Sequence, residues 1–420
     1  MRKHPRKLEE LGIMIAYRCR MLVPMNGPPI ENGAFVIDGS VLVEVGGASQ
    51  ILPGHVGAVV DLGEVVVLPG LVNAHCHLDY TLMRGAILPA RSFSHWVSRI
   101  NALKRSFTDS DYLHSMQLGF AELRRNGITT VLDILANPQI FPFLQRTPIR
   151  TWFCLELIDV RPRPWIDESA FGSWLFFSGK AQPNGGLGLS PHAPYTASSK
   201  MYEAALKCAR MLNMLVTTHV GESREEYDMF AGNRGPLYEF LSMLGRPMFD
   251  CGATSPLRHL IENGLIGEDC ILAHLNELDS HDFELLSDAK WRTLHVVHCP
   301  KSHRFLHHRR FPMEALLERG INVCLGTDSL ASNDSLNLFS EMRTARKNYP
   351  KLAARDLLEM VTVRPARALK MERDLGKIAN GYLADLIAIP FAGSIDEVYE
   401  AIIENRGPIE WMMVNGIIAG

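Results

Sequence analysis

VVVLPGLVNAHCH, residues 65–77, marks the point where the predicted secondary-structure pattern of the sequence changes. Before it, short apolar runs are broken by turn signals, and Ala34–Asp38 and Val41–Val45 on either side of Gly39-Ser40 form a predicted hairpin. After Pro69-Gly70, short β-rich runs alternate with helical patterns. That alternation indicates βα units and a parallel sheet.

The βα region contains eight β-rich runs. They are Leu71–His75, Ile128–Asp133, Arg150–Ile158, Gly186–Ser190, Met214–His219, Cys270–His274, Thr293–His298 and Asn322–Thr327. Helical patterns separate the runs, for example His114–Arg125, Lys200–Leu212, Asp282–Ala289 and Leu336–Lys347. Eight parallel strands over about 250 residues is the size of a (β/α)₈ barrel. A doubly wound open sheet is disfavoured, because no Gly-rich phosphate-binding motif opens any helix.

The end of the chain again shows β-rich runs, like the first 68 residues. From about Leu375 the sequence is strand-like, with β-rich runs at Lys377–Ile378, Leu386–Ile389 and Trp411–Ile417. We therefore expect the two β-rich ends to meet as one small module beside the barrel.

Composition excludes several classes of protein. Of the 420 residues, 47% are hydrophobic and 21% charged, which is close to an average globular chain and excludes a disordered or fibrous one. The net charge of −3 argues against a nucleic-acid or acidic-membrane partner. No apolar run is long enough for a membrane span, and the basic N-terminus has too short an apolar run for a secretory signal. Eight cysteines without a C-x-x-C pair predict free thiols, and we expect a cytoplasmic protein.

Polar side chains gather where the predicted strands end, which is where barrel enzymes place their chemistry. They are His75, His77, His192, His219, Glu222, His274 and Asp328. Alone, a strand-end histidine is more often a structural residue, and an Asp after Gly-Thr is as often a helix N-cap. Together, His75, His77, His219 and Asp328 come from three strand ends on one rim, which predicts a zinc or iron site with an open position. The roles of His295 and His298 stay open.

The ligand set predicts the chemistry. A divalent ion on these four side chains lowers the pKa of bound water toward 7 and supplies hydroxide at neutral pH. Asp328 is placed to accept the proton of that water, and Glu222 to protonate a ring nitrogen of the substrate. His274 is suited to holding the hydroxide and shuttling protons. The alternative for Glu222 is a first-turn carboxylate favoured by a helix dipole.

Seven stretches carry a resemblance to a known family. They are VVVLPGLVNAHCHLDYTLMRG, GLSPHAPYT, THVGES, ILAHLNEL, HCPKSH, LGTDSLASN and GKIANGYLADLIAI, between residues 65 and 389. In order and spacing the chain resembles the amidohydrolase superfamily. It looks most like the branch of aminohydrolases and triazine chlorohydrolases, which includes S-adenosylhomocysteine, guanine and aminodeoxyfutalosine deaminases.

The resemblance implies a distorted (β/α)₈ TIM barrel with a small β-sandwich built from both termini. Residues 69–372 would form the barrel, with 1–68 and 373–420 as the two parts of the sandwich. The resemblance also implies one divalent ion, zinc in preference to iron, on the four ligands named above. It gives Glu222 and His274 the proton transfers and His192 a contact to the substrate near the metal. Relatives are commonly dimers, which is compatible with a homo-oligomer.

The substrate is less closely specified. Adenosine-type members often carry a ribose-binding Glu in the segment after the first strand, and residues 93–110 contain none. For Trp96 in that segment we expect one of two roles: its ring stacks on the substrate, or it packs in the core of the barrel. The H-x-x-E pair and the strand-seven and strand-eight loops look most like aminodeoxyfutalosine deaminases, whose substrate carries a benzoate that an Arg such as Arg84 or Arg304 would bind. The basic run 303–310 is interpreted as a flap or solvated face rather than an RNA site.

The leading hypothesis is therefore hydrolytic deamination of an aromatic C–NH₂ on a purine nucleoside-like heterocycle, with release of ammonia. One alternative keeps the metal and changes the bond, as in a chlorohydrolase or a cyclic amidase. Glu222 favours deamination, because an amino leaving group needs protonation and chloride does not. The other alternative is a catalytically silent binding or scaffold protein, which would be favoured by broken ligand positions, and none is broken here.

Overall fold

The computed structural model describes residues 14–90, 92–161 and 184–419. The basic leader expected at the N-terminus lies outside the described residues. Seventeen strands form two sheets within them. In chain order the strands are β1 Ile15–Leu22, β2 Ile30–Asp38, β3 Val41–Gly47, β4 Ala58–Asp61, β5 Val65–Pro69, β6 Leu71–His77, β7 Ile128–Leu135, β8 Arg150–Leu157, β9 Gly186–Pro191, β10 Leu215–Val220, β11 Ile271–His274, β12 His295–His298, β13 Asn322–Leu325, β14 Asp328–Ser329, β15 Leu386–Pro390, β16 Trp411–Val414 and β17 Ile417–Ile418.

The larger sheet is the predicted barrel. Its strands are parallel and run in the order β13-β12-β11-β10-β9-β8-β7-β6-β14. Because only Gly326 and Thr327 separate β13 from β14, the two ends of this order are neighbours in the chain, and the sheet closes on itself. All eight predicted strands are present, and the eighth is split into β13 and β14. Every residue of β7 is buried, as expected where helices cover a parallel sheet.

Helices connect the barrel strands and cover the outside. The α-helices are Ala48–Ile51, Phe93–Lys104, Asp109–Arg125, Ser199–Leu212, Arg224–Gly232, Pro236–Met243, Pro256–Glu262, Ser280–Leu285, Pro300–Phe305, Met313–Glu318, Leu338–Asn348, Ala354–Glu359, Val363–Ala368 and Val398–Ile403. Short 3₁₀ helices occupy Leu52–Gly54, Leu78–Met83, Pro138–Phe143, Ala289–Thr293 and Ile395–Glu397.

The predicted helices are present, with different ends where side chains cap them. The second long helix begins at Asp109 rather than His114, because Thr108 and Asp111 form a reciprocal capping box. The helix predicted over Asp282–Ala289 ends at Leu285, and a 3₁₀ turn follows it from Ala289. None of the helices in residues 14–90, 92–161 and 184–419 is long and apolar enough to cross a bilayer.

The second sheet joins the two ends of the chain, as expected. Its order is β17-β16-β15-β5-β1-β2-β3, with β4 beside β1, and β15 pairs antiparallel with β5. The predicted hairpin is β2–β3, in which Asp38 faces Val41 and Gly39 takes a positive φ. Lys377–Ile378 forms no strand, which corrects that expectation. The division into 1–68, 69–372 and 373–420 stays a prediction.

A buried ion pair ties this sheet to the barrel. Arg150 at the start of β8 contacts both carboxylate oxygens of Asp385 at 3.3 Å, and their side chains are 8% and 4% exposed. The backbone N–H of Asn415 donates to the same carboxylate at 2.7 Å. The pair holds the terminal sheet at the N-terminal end of β8, away from the strand ends that carry the predicted site.

Candidate metal centre and active site

Three histidines from two strands converge at the C-terminal end of the barrel. His75 and His77 lie two residues apart on β6, so their side chains leave the same face of the strand. His219 is on β10, and its Nε2 lies 3.3 Å from Nε2 of His77. One ring nitrogen from each of the three lies within 4.8 Å of the others. The structure thus brings together the three histidines that the sequence singled out.

Asp328 completes the predicted ligand set. Its Oδ1 lies 3.7 Å from Nε2 of His75 and 3.7 Å from Nε2 of His77. Asp328 takes a left-handed φ of 58°, and His274 takes one of 75°. Such a conformation is costly for a residue other than glycine and concentrates at functional sites. Here it turns the Asp328 carboxylate from the barrel wall toward the histidines.

The protonation and orientation of Asp328 are fixed by its neighbours. The hydroxyl of Ser302 donates to Oδ2 at 2.6 Å, Ser332 Oγ lies 3.2 Å from the same atom, and the N–H of Ser329 donates to Oδ1 at 2.7 Å. Although burial opposes ionisation, the contact with His75 and the other imidazoles hold the pKa of Asp328 well below its ordinary value. The carboxylate is therefore the charged form.

These residues fit a divalent cation. Both ring nitrogens of His75 and Nδ1 of His77 are buried and have no hydrogen-bond partner among the described residues. A buried polar atom without a partner costs about 1–3 kcal/mol. His219 Nδ1 faces the carbonyl oxygen of His192 at 2.7 Å, and since a carbonyl only accepts, Nδ1 carries the proton. Its Nε2 is then a free lone pair that points at Nε2 of His77, and a cation between them would satisfy both. Nitrogen and carboxylate donors are the set that zinc prefers.

Glu222 and His274 lie beside Asp328. The three offer ligand-type atoms within 4.8 Å of one another, and His274 Nε2 is 3.7 Å from Glu222 Oε1. Burial raises the pKa of Glu222 to about 8, whereas burial lowers the pKa of His274 well below its ordinary value. A protonated carboxyl and a neutral imidazole therefore stand next to an ionised carboxylate. This arrangement can donate and accept protons over a short distance.

The backbone around Glu222 is held by a second buried carboxylate. Glu226 accepts hydrogen bonds from the N–H groups of Gly221 at 3.0 Å and Glu222 at 2.8 Å. Asn276 Nδ2 donates to the carbonyl of Glu222 at 2.8 Å. Gly221 takes a positive φ, which lets the chain turn from β10 into the helix Arg224–Gly232. Glu222 is therefore presented by a turn fixed on both sides. The alternative of a first-turn helix carboxylate is not observed, because Glu222 precedes the N-cap Ser223 and lies outside the first turn.

A cavity of about 180 Å³ opens onto these groups. His77, His219, Glu222, His274 and Asp328 line one end of it. Much of the remaining wall is apolar and includes Ile158, Val160, Leu237, Phe240, Leu241 and Leu244. A mostly apolar cleft with a few convergent polar groups is the usual form of a small-molecule site.

The two predicted substrate-contact residues both line the cavity. His192 Nδ1 lies 2.6 Å from Thr196 Oγ1, and its ring packs 4.8 Å from that of His219. Trp96 is 8% exposed and packs on Phe93, so it serves the core and the cavity wall at once. Whether either touches the substrate stays a prediction.

Other expectations have different outcomes. Arg84 and Arg304, the residues suggested as partners for a benzoate, do not line this cavity. Arg84 pairs with Glu122, and Arg304 is exposed. His295 and His298 are buried away from the cavity. The structure adds three residues to the site: Ser302, which donates to Asp328; His308, whose Nε2 lies 3.9 Å from Glu222 Oε1; and Glu156, which lines the cavity. The S of HCPKSH was a signal for Ser302, His308 lay within the basic run, and Glu156 showed only as a charge near the end of an apolar strand.

Comparison with known proteins agrees with this geometry. A model of the amidohydrolase family matches residues 66–417. A 5-methylthioadenosine/S-adenosylhomocysteine deaminase of Syntrophobacter fumaroxidans is 31% identical over 385 residues, covering 87% of this chain and 82% of that protein. An aminofutalosine deaminase from Helicobacter pylori has a TM-score of 0.83 at 20% identity, over 97% of this chain and 100% of that one. A zinc-bound adenosine deaminase from Xanthomonas campestris has a TM-score of 0.79 at 24% identity, over 96% and 92%. This chain belongs to the amidohydrolase family.

Proposed function

We propose that this chain hydrolytically removes the exocyclic amino group of a purine nucleoside-like heterocycle and releases ammonia. The observation that carries the proposal is the convergence of His75, His77, His219 and Asp328 at the cavity end that also holds Glu222 and His274. Family membership makes the chain a hydrolase of carbon–nitrogen bonds. The deaminase relative at 31% identity supports an amino group on a purine as the group that leaves.

The proposed cofactor is one zinc ion held by His75, His77, His219 and Asp328. The nitrogen and carboxylate donors support zinc, and so does the zinc in the Xanthomonas campestris neighbour. When bound, such an ion supplies Lewis acidity and lowers the pKa of water. A second ion is not proposed, because β9 ends in Leu-Ser-Pro and offers no lysine to bridge two metals.

The chain's own residues are proposed to move the protons. Asp328, ionised and close to the cavity, accepts a proton from the attacking water. Glu222, whose buried carboxyl faces the same space, donates a proton to a ring nitrogen and so makes the ring carbon more electrophilic. His274 positions the water through its ring nitrogen, and His192, whose ring packs beside that of His219, contacts the substrate. Asp328 then passes the proton it took from water to the amino nitrogen, and the carbon–nitrogen bond breaks to release ammonia. The proton of the added hydroxyl returns to Glu222, so the ring keeps the oxygen as a carbonyl and both carboxyl groups regain their starting states.

The test is ammonia release from zinc-loaded protein. The panel holds adenosine, methylthioadenosine, S-adenosylhomocysteine, aminodeoxyfutalosine, guanine, cytosine and a chlorotriazine. We expect release from at least one purine nucleoside, loss of release in Asp328→Asn, and retention in Asp38→Asn, an exposed aspartate on the terminal sheet. Metal analysis by mass spectrometry should give one zinc per chain. Full activity in Asp328→Asn, or no release from any nucleoside by protein that holds one metal, would overturn the proposal.

The chlorohydrolase alternative is separated by the same panel. Chloride leaves without a proton, whereas an amino group does not. Glu222→Gln should therefore reduce ammonia release more than any chloride release from the chlorotriazine. Equal reductions in the two reactions would contradict the role proposed for Glu222.

A further inference from the structure

The cavity has a second polar feature besides the metal-ligand cluster. Lys104, the last residue of the helix Phe93–Lys104, places its Nζ 3.8 Å from Oε2 of Glu156 on β8. The side chain of Glu156 is only 5% exposed, and that of Lys104 is 25% exposed. Both residues line the cavity. They form a pair of opposite charges on a wall that is otherwise largely apolar.

The Glu156 carboxylate lacks the partners that such a group normally has. No described residue donates a hydrogen bond to it, and Lys104 at 3.8 Å is beyond hydrogen-bond distance. A carboxylate removed from water generally accepts several hydrogen bonds, because its desolvation is otherwise costly. The Glu156 side chain is only 5% exposed and lines the cavity, so a molecule in the cavity can supply the donors that the described residues do not.

The pair stands at a fixed place relative to the reacting end. The ring of Tyr80 stacks on His77 at 5.5 Å between centroids, and Lys104 Nζ lies 4.9 Å from the centre of the Tyr80 ring. Lys104 is thus one aromatic ring away from a predicted metal ligand, and Glu156 Oε2 lies 3.8 Å from Lys104 Nζ. This separation suits a ligand whose heterocycle reacts at the metal end while an attached group reaches the pair.

We propose that Glu156 and Lys104 bind vicinal hydroxyl groups of a sugar attached to the heterocycle. A hydroxyl both donates and accepts, so one O–H can donate to the carboxylate while the neighbouring oxygen accepts from the ammonium. This assignment rests on the proposed function, since it takes the reacting base to lie at the metal end.

The charges at this wall favour hydroxyls over an anionic group. Lys104 is the only cation among the described residues that line the cavity, and it already faces Glu156. A carboxylate or phosphate in the same place would meet the negative charge of Glu156, which lies on the same wall. A neutral diol matches both members of the pair at once.

The experiment measures binding of purine riboside, which has no amino group to lose, to the zinc-loaded protein by calorimetry. The 2′-deoxy and 3′-deoxy ribosides and free purine are compared with it. We expect the wild type to bind at least one deoxy riboside about 10- to 100-fold more weakly than the riboside, the usual effect of losing a hydrogen bond to a charged group. We expect Glu156→Gln and Lys104→Met to weaken the riboside similarly, with no further loss for that deoxy analogue.

Glu239→Gln is the matched control, because Glu239 is exposed on the helix Pro236–Met243 whose other face lines the cavity. If Glu156→Gln fails to fold, the deoxy ligands on the wild type still test the same contact. Equal affinity for riboside and both deoxy ribosides, or no binding of the riboside, would overturn the assignment. Hydroxyl-dependent binding without ammonia release would instead contradict the proposed function. Ammonia release with unchanged binding by Glu156→Gln would contradict only the sugar site.

Discussion

Ser302 offers a direct test of whether Asp328 acts as the carboxylate ligand. Its hydroxyl donates to Asp328 Oδ2 at 2.6 Å, while Ser332 Oγ stands 3.2 Å from the same oxygen and 2.8 Å from Ser302 Oγ. The two serines restrain the oxygen that faces away from the histidines. Ser302→Ala removes the shorter contact and leaves Ser332 to hold the carboxylate alone.

The size of the effect follows from these contacts. A hydrogen bond to a charged group contributes about 1.5–3 kcal/mol, and about 1.4 kcal/mol is a factor of ten in affinity. Because Ser332 remains, Ser302→Ala should cost the lower value, about tenfold in zinc affinity. Ser302→Ala with Ser332→Ala removes both donors and should cost about 100-fold, within the range known for residues that support metal ligands.

The assay is zinc affinity measured by competition with a chelator, with the melting temperature of the zinc-free protein as a check on folding. Ser287→Ala is the matched control, since this exposed serine also donates one hydrogen bond, to the carbonyl of Phe283, far from the site. Zinc affinity within twofold of the wild type in the double variant, with the fold intact, would refute the reasoning. Asp328 would then not need its serines, or would not hold the metal.

Three further predictions concern the support of the fold and the site. Arg150→Met should lower the free energy of unfolding in urea by about 3–5 kcal/mol, because it leaves Asp385 buried without its cation. Adding Asp385→Asn to this variant should recover part of the loss. A cost below about 1 kcal/mol for Arg150→Met would contradict the burial of the pair. Burial raises the pKa of Glu341 to about 8, so the folded state keeps a proton that the unfolded state releases near its ordinary value. The free energy of unfolding should therefore fall as the pH rises from about 5 to 8, by at most about 1.4 kcal/mol per pH unit from this group. Glu341→Gln should flatten that slope. Parallel slopes for the wild type and the variant would refute the assignment. Glu226→Gln puts an amide donor against the N–H of Gly221 or Glu222, so the rate of ammonia release should fall about tenfold or more at saturating substrate; an unchanged rate would show that Glu222 does not depend on this support.

The barrel and its metal-ligand cluster could be predicted because each depends on a short stretch of chain. Most strands of the parallel sheet are short β-rich runs buried on both faces, and a histidine stands near the C-terminal end of β6 and of β10, as at His75 and His219. The exact ends of helices depended instead on side-chain caps such as Thr108, which a periodic pattern does not reveal. The split between β13 and β14 could not be predicted either. Thr327 there donates its N–H to the carbonyl of His75, a contact between residues 252 positions apart.

The specificity end of the cavity was harder to predict than the metal end for a physical reason. Metal ligands must be histidines or acids at fixed strand ends, so residue type and position narrow the choice together. The far wall is assembled from the helix Phe93–Lys104, from β8 and from the helix Pro236–Met243, and each contributes residues that read as ordinary core or surface in their own segment. The role of Glu156 follows only from the packing of these three segments. In the sequence it is a charge near the end of an apolar strand, whereas in the structure it is a carboxylate on the cavity wall. Local sequence motifs therefore predict the reaction class. The substituent that the substrate carries depends instead on contacts between distant segments, and binding of the riboside analogues tests those contacts directly.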